Sequence, residues 1–144
     1  MTRSRDAVLI TRPQAGSEMI AIQVAKLGLQ PVVAPLSEIR DLTPALPDSA
    51  AAVLLTSGNA AAAVPAWAHG LPVFAVGDAT AERARAAGCA NVHSARGDAG
   101  DLARLVGAAL PPRAGLLLLL CGRCQGSALM AALQGAGYTV LRRA

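Results

Sequence analysis

Aromatic residues, charged residues and long apolar runs are all scarce in this chain of 144 residues. Trp, Tyr and Phe occur once each, so the aromatic platforms on which single-stranded nucleic acid stacks are missing. Charged residues make up 15% of the sequence against 53% hydrophobic residues, whereas a disordered chain needs the opposite balance. No apolar run approaches the roughly 18 residues of a membrane-spanning helix. These scarcities predict a globular protein that binds neither nucleic acid nor membrane.

Cysteine is also rare, and three residues in no disulfide pattern are typical of a reducing compartment. The basic N-terminus is not followed by the apolar core of a signal peptide, because Thr11, Arg12 and Pro13 interrupt it. We therefore expect a cytoplasmic protein. The net charge of +4 comes from 12 Arg and a single Lys, and Arg is suited to forked contacts with carboxylate or phosphate. The charges are dispersed, which argues against a duplex DNA footprint.

What the sequence does contain is a repeating strand–loop–helix unit. Short apolar runs predict strands at 7–10, 31–34, 52–55, 72–76, 91–93, 116–120 and 138–141. Between them, apolar spacing and terminal glycines predict helices from Ser17 to Gly28, 60–67, 79–87, from Asp101, and 127–134. Alternating strands and helices imply a parallel sheet with right-handed crossovers. The predicted fold is α/β, with a three-layer, flavodoxin-like domain.

The units divide unequally around a segment rich in Pro. Residues 37–49 read as a linker, residues 50–144 as a complete domain, and residues 1–36 as a partial β-α-β domain. Two strands and one helix are too little to bury both faces of a sheet. We expect this leading module to leave apolar side chains exposed, and association through it is possible. The side chains in question are Ile20, Val24, Leu27, Val32 and Val33.

A candidate ligand site lies along one edge of the predicted sheet. Ligands of open parallel sheets bind outside the carboxyl ends of the strands, where each loop also opens a helix whose free N–H groups favour an anion. Hydroxyls, small residues and Arg predominate in these loops, which favours a ligand with several carboxylates or phosphates. For any single loop, helix capping by Ser, Thr or Asn is the simpler explanation. The loops are Thr11-Arg12, Thr56-Ser57-Gly58-Asn59, Gly77-Asp78-Ala79-Thr80, 94–98 and Gly122-Arg123.

Two thiol-based alternatives are weaker. Cys121 and Cys124 form a C-x-x-C at a strand-to-helix junction, as in thiol redox proteins, but only 20 residues follow them. A Cys₃His zinc site from Cys89, His93 and this pair has an unspecific spacing. We interpret Cys89 and Cys124 as small apolar residues that pack. No triad, phosphate loop or close pair of carboxylates is present, so no catalytic side chain is identified.

Taken in order, the loops resemble the uroporphyrinogen-III synthase family over essentially the whole chain. The motifs that carry this resemblance are Val8-Leu9-Ile10-Thr11-Arg12-Pro13, Leu55-Thr56-Ser57-Gly58-Asn59-Ala60, Val76-Gly77-Asp78-Ala79-Thr80-Ala81 and Leu120-Cys121-Gly122-Arg123. The resemblance implies two α/β domains joined by a two-stranded linker, with the second inserted into the first. The chain then stops where the return linker is expected, about 100 residues short of a complete first domain.

The resemblance also implies a reaction. Hydroxymethylbilane would be closed to uroporphyrinogen III with loss of water and inversion of ring D, without a cofactor, through a cationic azafulvene and a spiro intermediate. The family is expected to be monomeric, and its proposed proton donor is a tyrosine on the return linker, a role that Tyr138 does not match. By resemblance, the residues that line the cleft are Thr11, Arg12, Ser57, Asn59, Gly77, Thr80 and Arg123. The alternative is a non-catalytic module that binds a tetrapyrrole or another polyanion, and we expect little synthase activity from this chain alone.

Overall fold

The computed structural model describes residues 6–40 and 42–144, and the chain divides into two compact units, Met1–Thr43 and Pro44–Ala144. Residues 1–5, which belong to the predicted leading module, lie outside the described residues. The boundary between the units falls within the segment predicted as a linker. The functional assignment of the two units as separate domains of one fold stays a prediction.

The first unit is one β-α-β module. Strand β1 (Ala7–Ile10) leads through helix α1 (Ser17–Lys26) to strand β2 (Gln30–Val33), which pairs in parallel with β1. Helix α1 ends where the sequence predicts, because Gly28 has φ +78°, a conformation that side chains with a Cβ rarely adopt. Two strands give this helix little surface on which to pack.

Exposed apolar side chains are concentrated in this unit. Nine of the ten large hydrophobic residues that are exposed in the described chain lie between Leu9 and Leu42, the exception being Trp67. Of the five side chains expected to be uncovered, Leu27, Val32 and Val33 are exposed. The expectation is wrong for Val24, a residue of α1 whose side chain is buried. Ile20, on the same helix, is half-buried. The reason is that α1 turns Val24 toward its own two strands.

The second unit contains a five-stranded parallel sheet. Its strands are β3 (Ala52–Leu55), β4 (Pro72–Ala75), β5 (Asn91–Ser94), β6 (Leu116–Leu120) and β7 (Thr139–Arg143), in the spatial order β5-β4-β3-β6-β7. Helices α2 (Asp78–Ala86), α3 (Ala99–Ala109) and α4 (Ser127–Gly135) complete the α/β alternation. The predicted parallel α/β class is confirmed. The order within it differs from the flavodoxin order, because the chain moves outward twice from β3 before crossing to its other side.

The two faces of the sheet carry separate cores, which makes three layers. Leu54, Leu117 and Leu119 face one way and pack with α3 and α4. Leu55 and Leu118, one residue out of phase, face α2 and the segment after β3. Because side chains alternate along a strand and both faces are covered, the central strands are apolar throughout. The run of five leucines is therefore a strand buried on both sides.

Local structure differs from the sequence prediction in two places. The segment predicted as a helix over 60–67 forms two short 3₁₀ helices, Gly58–Ala63 and Ala66–Ala68. Pro65 separates them, since its ring removes a donor and disfavours helical backbone at Val64. Helix α3 begins at Ala99 and not at Asp101, because Asp98 caps it by accepting from the backbone N–H groups of Gly100 and Asp101.

These differences in packing predict unequal stability along the chain. We expect backbone amides of β1, α1 and β2 to exchange with solvent roughly a hundredfold faster than those of β3, β4 and β6, because sparsely packed segments open at lower free energy. Hydrogen exchange followed by mass spectrometry, with peptides covering 1–36 and 50–142, measures this difference. Equal protection of the two units would contradict it.

Candidate functional site

The carboxyl ends of all five strands in the second unit meet at one edge of the sheet. The chain leaves β3 in one direction toward β4 and β5, and later crosses to β6 on the other side. Such a reversal opens a crevice between the loops that follow the two strands, and ligands of open α/β sheets bind there. By strand order, this position falls between the loop after β3, residues 56–59, and the loop after β6, residues 121–126. We call this the switch-point site.

The structure brings most of the predicted site residues to this edge. Thr56, Ser57, Gly58 and Asn59 follow β3, Gly122 and Arg123 follow β6, and Gly77 and Thr80 follow β4, one strand further out. Thr11 and Arg12 follow β1 and belong to the other unit. In that unit an open cavity of about 520 Å³ lies between the loops after β1 and β2, lined by Pro13–Ala15 and Pro35–Ile39. The assignment of all these residues to a ligand stays a prediction.

Some of these residues have structural roles. The Ser57 hydroxyl accepts a hydrogen bond from the Asn59 backbone N–H at 3.3 Å, which caps the first 3₁₀ helix. Gly77 starts α2 with extended backbone, and Thr80 is buried in the first turn of that helix. Tyr138, the one tyrosine, is also structural, because its buried hydroxyl donates to the Leu110 carbonyl at 2.6 Å.

Thr56 is different because its hydroxyl has no partner. The Oγ1 atom is buried and makes no hydrogen bond to any described residue. A buried polar group without a partner costs about 1–3 kcal/mol, and such groups usually have a specific reason. Thr56 directly follows the central strand β3, in the loop that forms one side of the switch-point site.

The loop after β6 is held in a defined conformation. Gly126 precedes α4 with φ +82°, and the backbone N–H of Gln125 donates to the Gly122 carbonyl at 2.9 Å. Arg142, at the end of β7, donates from Nη1 to the Arg123 carbonyl at 3.0 Å and to the Gln125 carbonyl at 2.6 Å. These bonds occupy the loop carbonyls, so the exposed Arg123 side chain projects from a fixed backbone.

The corresponding loop of the first unit has the same local geometry. Gly16 precedes α1 with φ +105°, close to the Gly126 value, and both ψ angles lie near zero. Neither helix has a side-chain cap, so both rely on a left-handed glycine. The similarity of Arg12–Ser17 to Arg123–Ser127 in sequence therefore corresponds to a shared backbone turn.

Several arginines at the carboxyl edge of the second unit form no ion pair with a described acidic side chain. In the described residues, Arg40, Arg85, Arg96 and Arg104 form ion pairs with acidic side chains. Six other described arginines form no ion pair, and four of them belong to the carboxyl edge of the second unit: Arg83, Arg123, Arg142 and Arg143. Of these, Arg142 and Arg143 donate to backbone carbonyls, Arg143 from Nε to Ala45 at 2.7 Å. The acidic residues of this edge follow β4 and β5, where Asp78 pairs with Arg96 and Asp98 caps α3. Hydrogen bonds from the backbone N–H groups of Asp101 and Gly100 lower the pKa of Asp98.

Arg83 is the residue that sequence reasoning missed. It belongs to the body of α2, where a side chain is expected to point into solvent, and yet its Nη1 donates to Asn59 Oδ1 at 2.9 Å. The residue in the sequence that could have indicated this contact is Gly58. Its φ is not in the left-handed region, but the absence of a Cβ leaves room for the Arg83 side chain.

The three cysteines are free and differ in their surroundings. Cys121 is buried on the α3–α4 face, where its Sγ contacts the Gln125 carbonyl at 3.2 Å. Cys89 is buried on the opposite face, and burial raises the pKa of its thiol. The interpretation of Cys124 as a packed apolar residue is wrong, because this residue is exposed in the loop after β6. Across the described ranges, no group of three or more His, Cys, Asp or Glu is placed to hold a metal ion.

Comparison with known proteins places this geometry in a family. A solved structure of uroporphyrinogen III synthase from the extremely thermophilic bacterium Thermus thermophilus matches with a TM-score of 0.55 and 19% identity, which shows a shared fold. The match covers 95% of this chain and 59% of that one, so this chain spans under two thirds of its length. Among curated proteins, none matches. None of the helices in 6–40 and 42–144 is long and apolar enough to cross a bilayer. Residues 18–143 match the family of uroporphyrinogen-III synthase HemD, and because that match covers most of the sequence, the chain belongs to this family.

Proposed function

We propose that this protein takes part in the cyclisation of hydroxymethylbilane to uroporphyrinogen III, and that the switch-point site is one wall of its substrate cleft. The observation that carries the proposal is the group of four unpaired arginines on the carboxyl edge, together with the family membership of the chain. The linear tetrapyrrole carries eight carboxylates. Forked guanidinium groups and free N–H groups at helix N-termini are suited to bind them.

The role assigned to the edge is binding and orientation. Of the predicted ligand residues, Ser57 and Asn59 offer hydroxyl and amide groups and Arg123 adds a positive charge, whereas the Thr56 hydroxyl and Thr80 are buried. None of these is assigned a proton transfer. Ring closure with inversion then depends on holding ring D of the linear tetrapyrrole near the carbon that it must attack.

A binding measurement tests this site. We expect uroporphyrin III, the stable oxidised octacarboxylate, to bind with an affinity that falls as ionic strength rises, since exposed charge contacts are screened over about 8 Å at physiological salt. We expect Arg123→Ala to weaken binding about three- to tenfold, because one charge-assisted hydrogen-bond donor is lost from the ligand edge. Fluorescence quenching titrations at two salt concentrations measure both effects.

Arg104→Ala is the matched control. Arg104 lies on the exposed face of α3 and pairs with Asp101, so its loss removes the same charge away from the crevice. Binding should change less than twofold. If the two variants weaken binding equally, the placement of the site is wrong. If a neutral porphyrin ester binds as tightly as the octacarboxylate, the polyanion chemistry is wrong.

A further inference from the structure

Arg83 and Gly58 form a close contact at the switch-point site, where α2 packs against the first 3₁₀ helix, and no ion pair holds the Arg83 side chain there. Both acidic residues that precede Arg83 on α2 are engaged elsewhere, Asp78 with Arg96 and Glu82 with Arg85. The Arg83 guanidinium instead lies across the start of the 3₁₀ helix after β3, where it donates to Asn59 Oδ1. An exposed arginine held against a loop, with no carboxylate from the described chain, has its charge available to a ligand.

Gly58 is what permits this approach. A Cβ at this position would lie 2.5 Å from Arg83 Cδ and 3.2 Å from its Nε, well inside van der Waals contact. Gly58 does not have a positive φ, so the backbone conformation does not require a glycine at this position. The glycine therefore serves the close passage of the arginine side chain over the loop.

The bond to Asn59 uses one of the five N–H donors of the guanidinium. The remaining donors have no partner among the described residues, and the side chain is exposed. The loop backbone at Asn59 is held by its N–H, which donates to Ser57 Oγ at 3.3 Å. The result is a guanidinium with a set orientation, held against the same loop that carries the unpaired hydroxyl of Thr56.

We propose that Arg83 binds a carboxylate of the ligand in a forked, bidentate contact, with Asn59 and Gly58 as the residues that position it. This inference rests on the proposed function and adds to it a specificity-determining residue from the body of a helix. A bidentate contact needs a planar fork with fixed direction, which a lysine ammonium lacks.

The test uses uroporphyrin III binding to the full 144-residue chain. We expect Arg83→Gln to weaken binding about tenfold and to reduce its salt dependence, since one charged, paired contact is lost. Arg83→Lys should restore only a minor part, about two- to threefold. The control Arg85→Gln removes the same charge from the same helix, but from a residue paired with Glu82, and should change binding less than twofold.

Gly58→Ala tests positioning without any change of charge. The new methyl group shifts the Arg83 side chain away from Asn59 but leaves its charge, so this variant should weaken binding about threefold, less than Arg83→Gln. Combined with Arg83→Gln it should add almost nothing, because both changes remove the same contact. Additive effects of Gly58→Ala and Arg83→Gln would overturn the positioning role of Gly58. Full binding by Arg83→Lys would overturn the bidentate contact.

The outcomes distinguish failure of the Arg83 contact from failure of the proposed function. If the wild-type chain binds uroporphyrin III and Arg123→Ala weakens it, while Arg83→Gln behaves as Arg85→Gln does, this inference is overturned and the proposed function stands. If the wild-type chain shows no saturable binding, the proposed function fails and this inference fails with it. Thermal unfolding midpoints of Arg83→Gln and Arg85→Gln should agree within a few degrees, which excludes misfolding as the cause of a difference.

Discussion

Hydroxymethylbilane incubated with the 144-residue chain is expected to yield mainly uroporphyrinogen I, the isomer that forms spontaneously without inversion of ring D. The resemblance to the family implies that product direction needs grip from two domains. In the described residues, the first unit offers one two-stranded β-α-β module with most of the exposed apolar side chains of the chain. A misalignment of about 1 Å at the reacting centre can already cost about a hundredfold in rate.

The measurement is the ratio of type I to type III isomers after oxidation to porphyrins and chromatographic separation. Parallel reactions without protein and with heat-denatured chain give the spontaneous ratio. A ratio unchanged by the native chain, together with tight binding of uroporphyrin III, would assign this chain a binding role within the reaction. Efficient formation of the type III isomer by the purified chain alone would contradict the prediction and show that the whole activity resides in these 144 residues.

Replacing Gly126 by alanine is expected to destabilise the second unit by about 2–5 kcal/mol. Its φ of +82° places the residue in the left-handed region, which costs a residue with a Cβ about 1–2 kcal/mol. The Cβ would also lie 2.9 Å from Cys121 Sγ and 3.1 Å from Leu119 Cδ2, in a buried part of the core where overpacking typically adds about 1–3 kcal/mol. The thermal midpoint should fall by about 10 °C.

Gly135→Ala is the matched control on the same helix. Gly135 lies at the end of α4, has no positive φ, and has nothing within 4 Å of the position of a Cβ. Because alanine is the better helix former, this change should be neutral or stabilise the protein by about 0.5 kcal/mol. Denaturant unfolding of both variants measures the difference. Equal effects would show that the turn before α4 does not require the left-handed glycine.

The Gly126 turn also connects stability to the proposed site. The turn sets the direction of the loop that carries Arg123 and orients the first N–H groups of α4. At temperatures where Gly126→Ala remains folded, we expect weaker binding of uroporphyrin III than for Gly135→Ala. This comparison separates the effect of loop geometry from the effect of net charge, since neither variant changes charge.

The class of the fold and the composition of its carboxyl edge follow from local patterns in the sequence. Alternating apolar runs and helical spacing are local properties, so the strands, most helix ends and the parallel sheet could be predicted without tertiary information. The polar loops after the strands were also predictable, because in a parallel sheet every carboxyl end lies on the same side. The 3₁₀ helices between β3 and β4 were missed, since the alanine-rich segment favours α-helix by propensity while Pro65 and the packing against α2 shorten it.

Tertiary contacts set the strand order, and with it the two loops that meet at the switch-point site and the arginines that bond to them. Spatial strand order depends on contacts between residues far apart in sequence, so the reversal between β3 and β6 has no local signal. The approach of Arg83 to Gly58 joins a helix body to a loop 25 residues away, and Arg142 reaches the loop after β6 only because β7 pairs beside that strand. In each case a flexible side chain selects its partner after the backbone has folded, because its rotamer depends on the neighbours that the sheet brings within hydrogen-bonding distance.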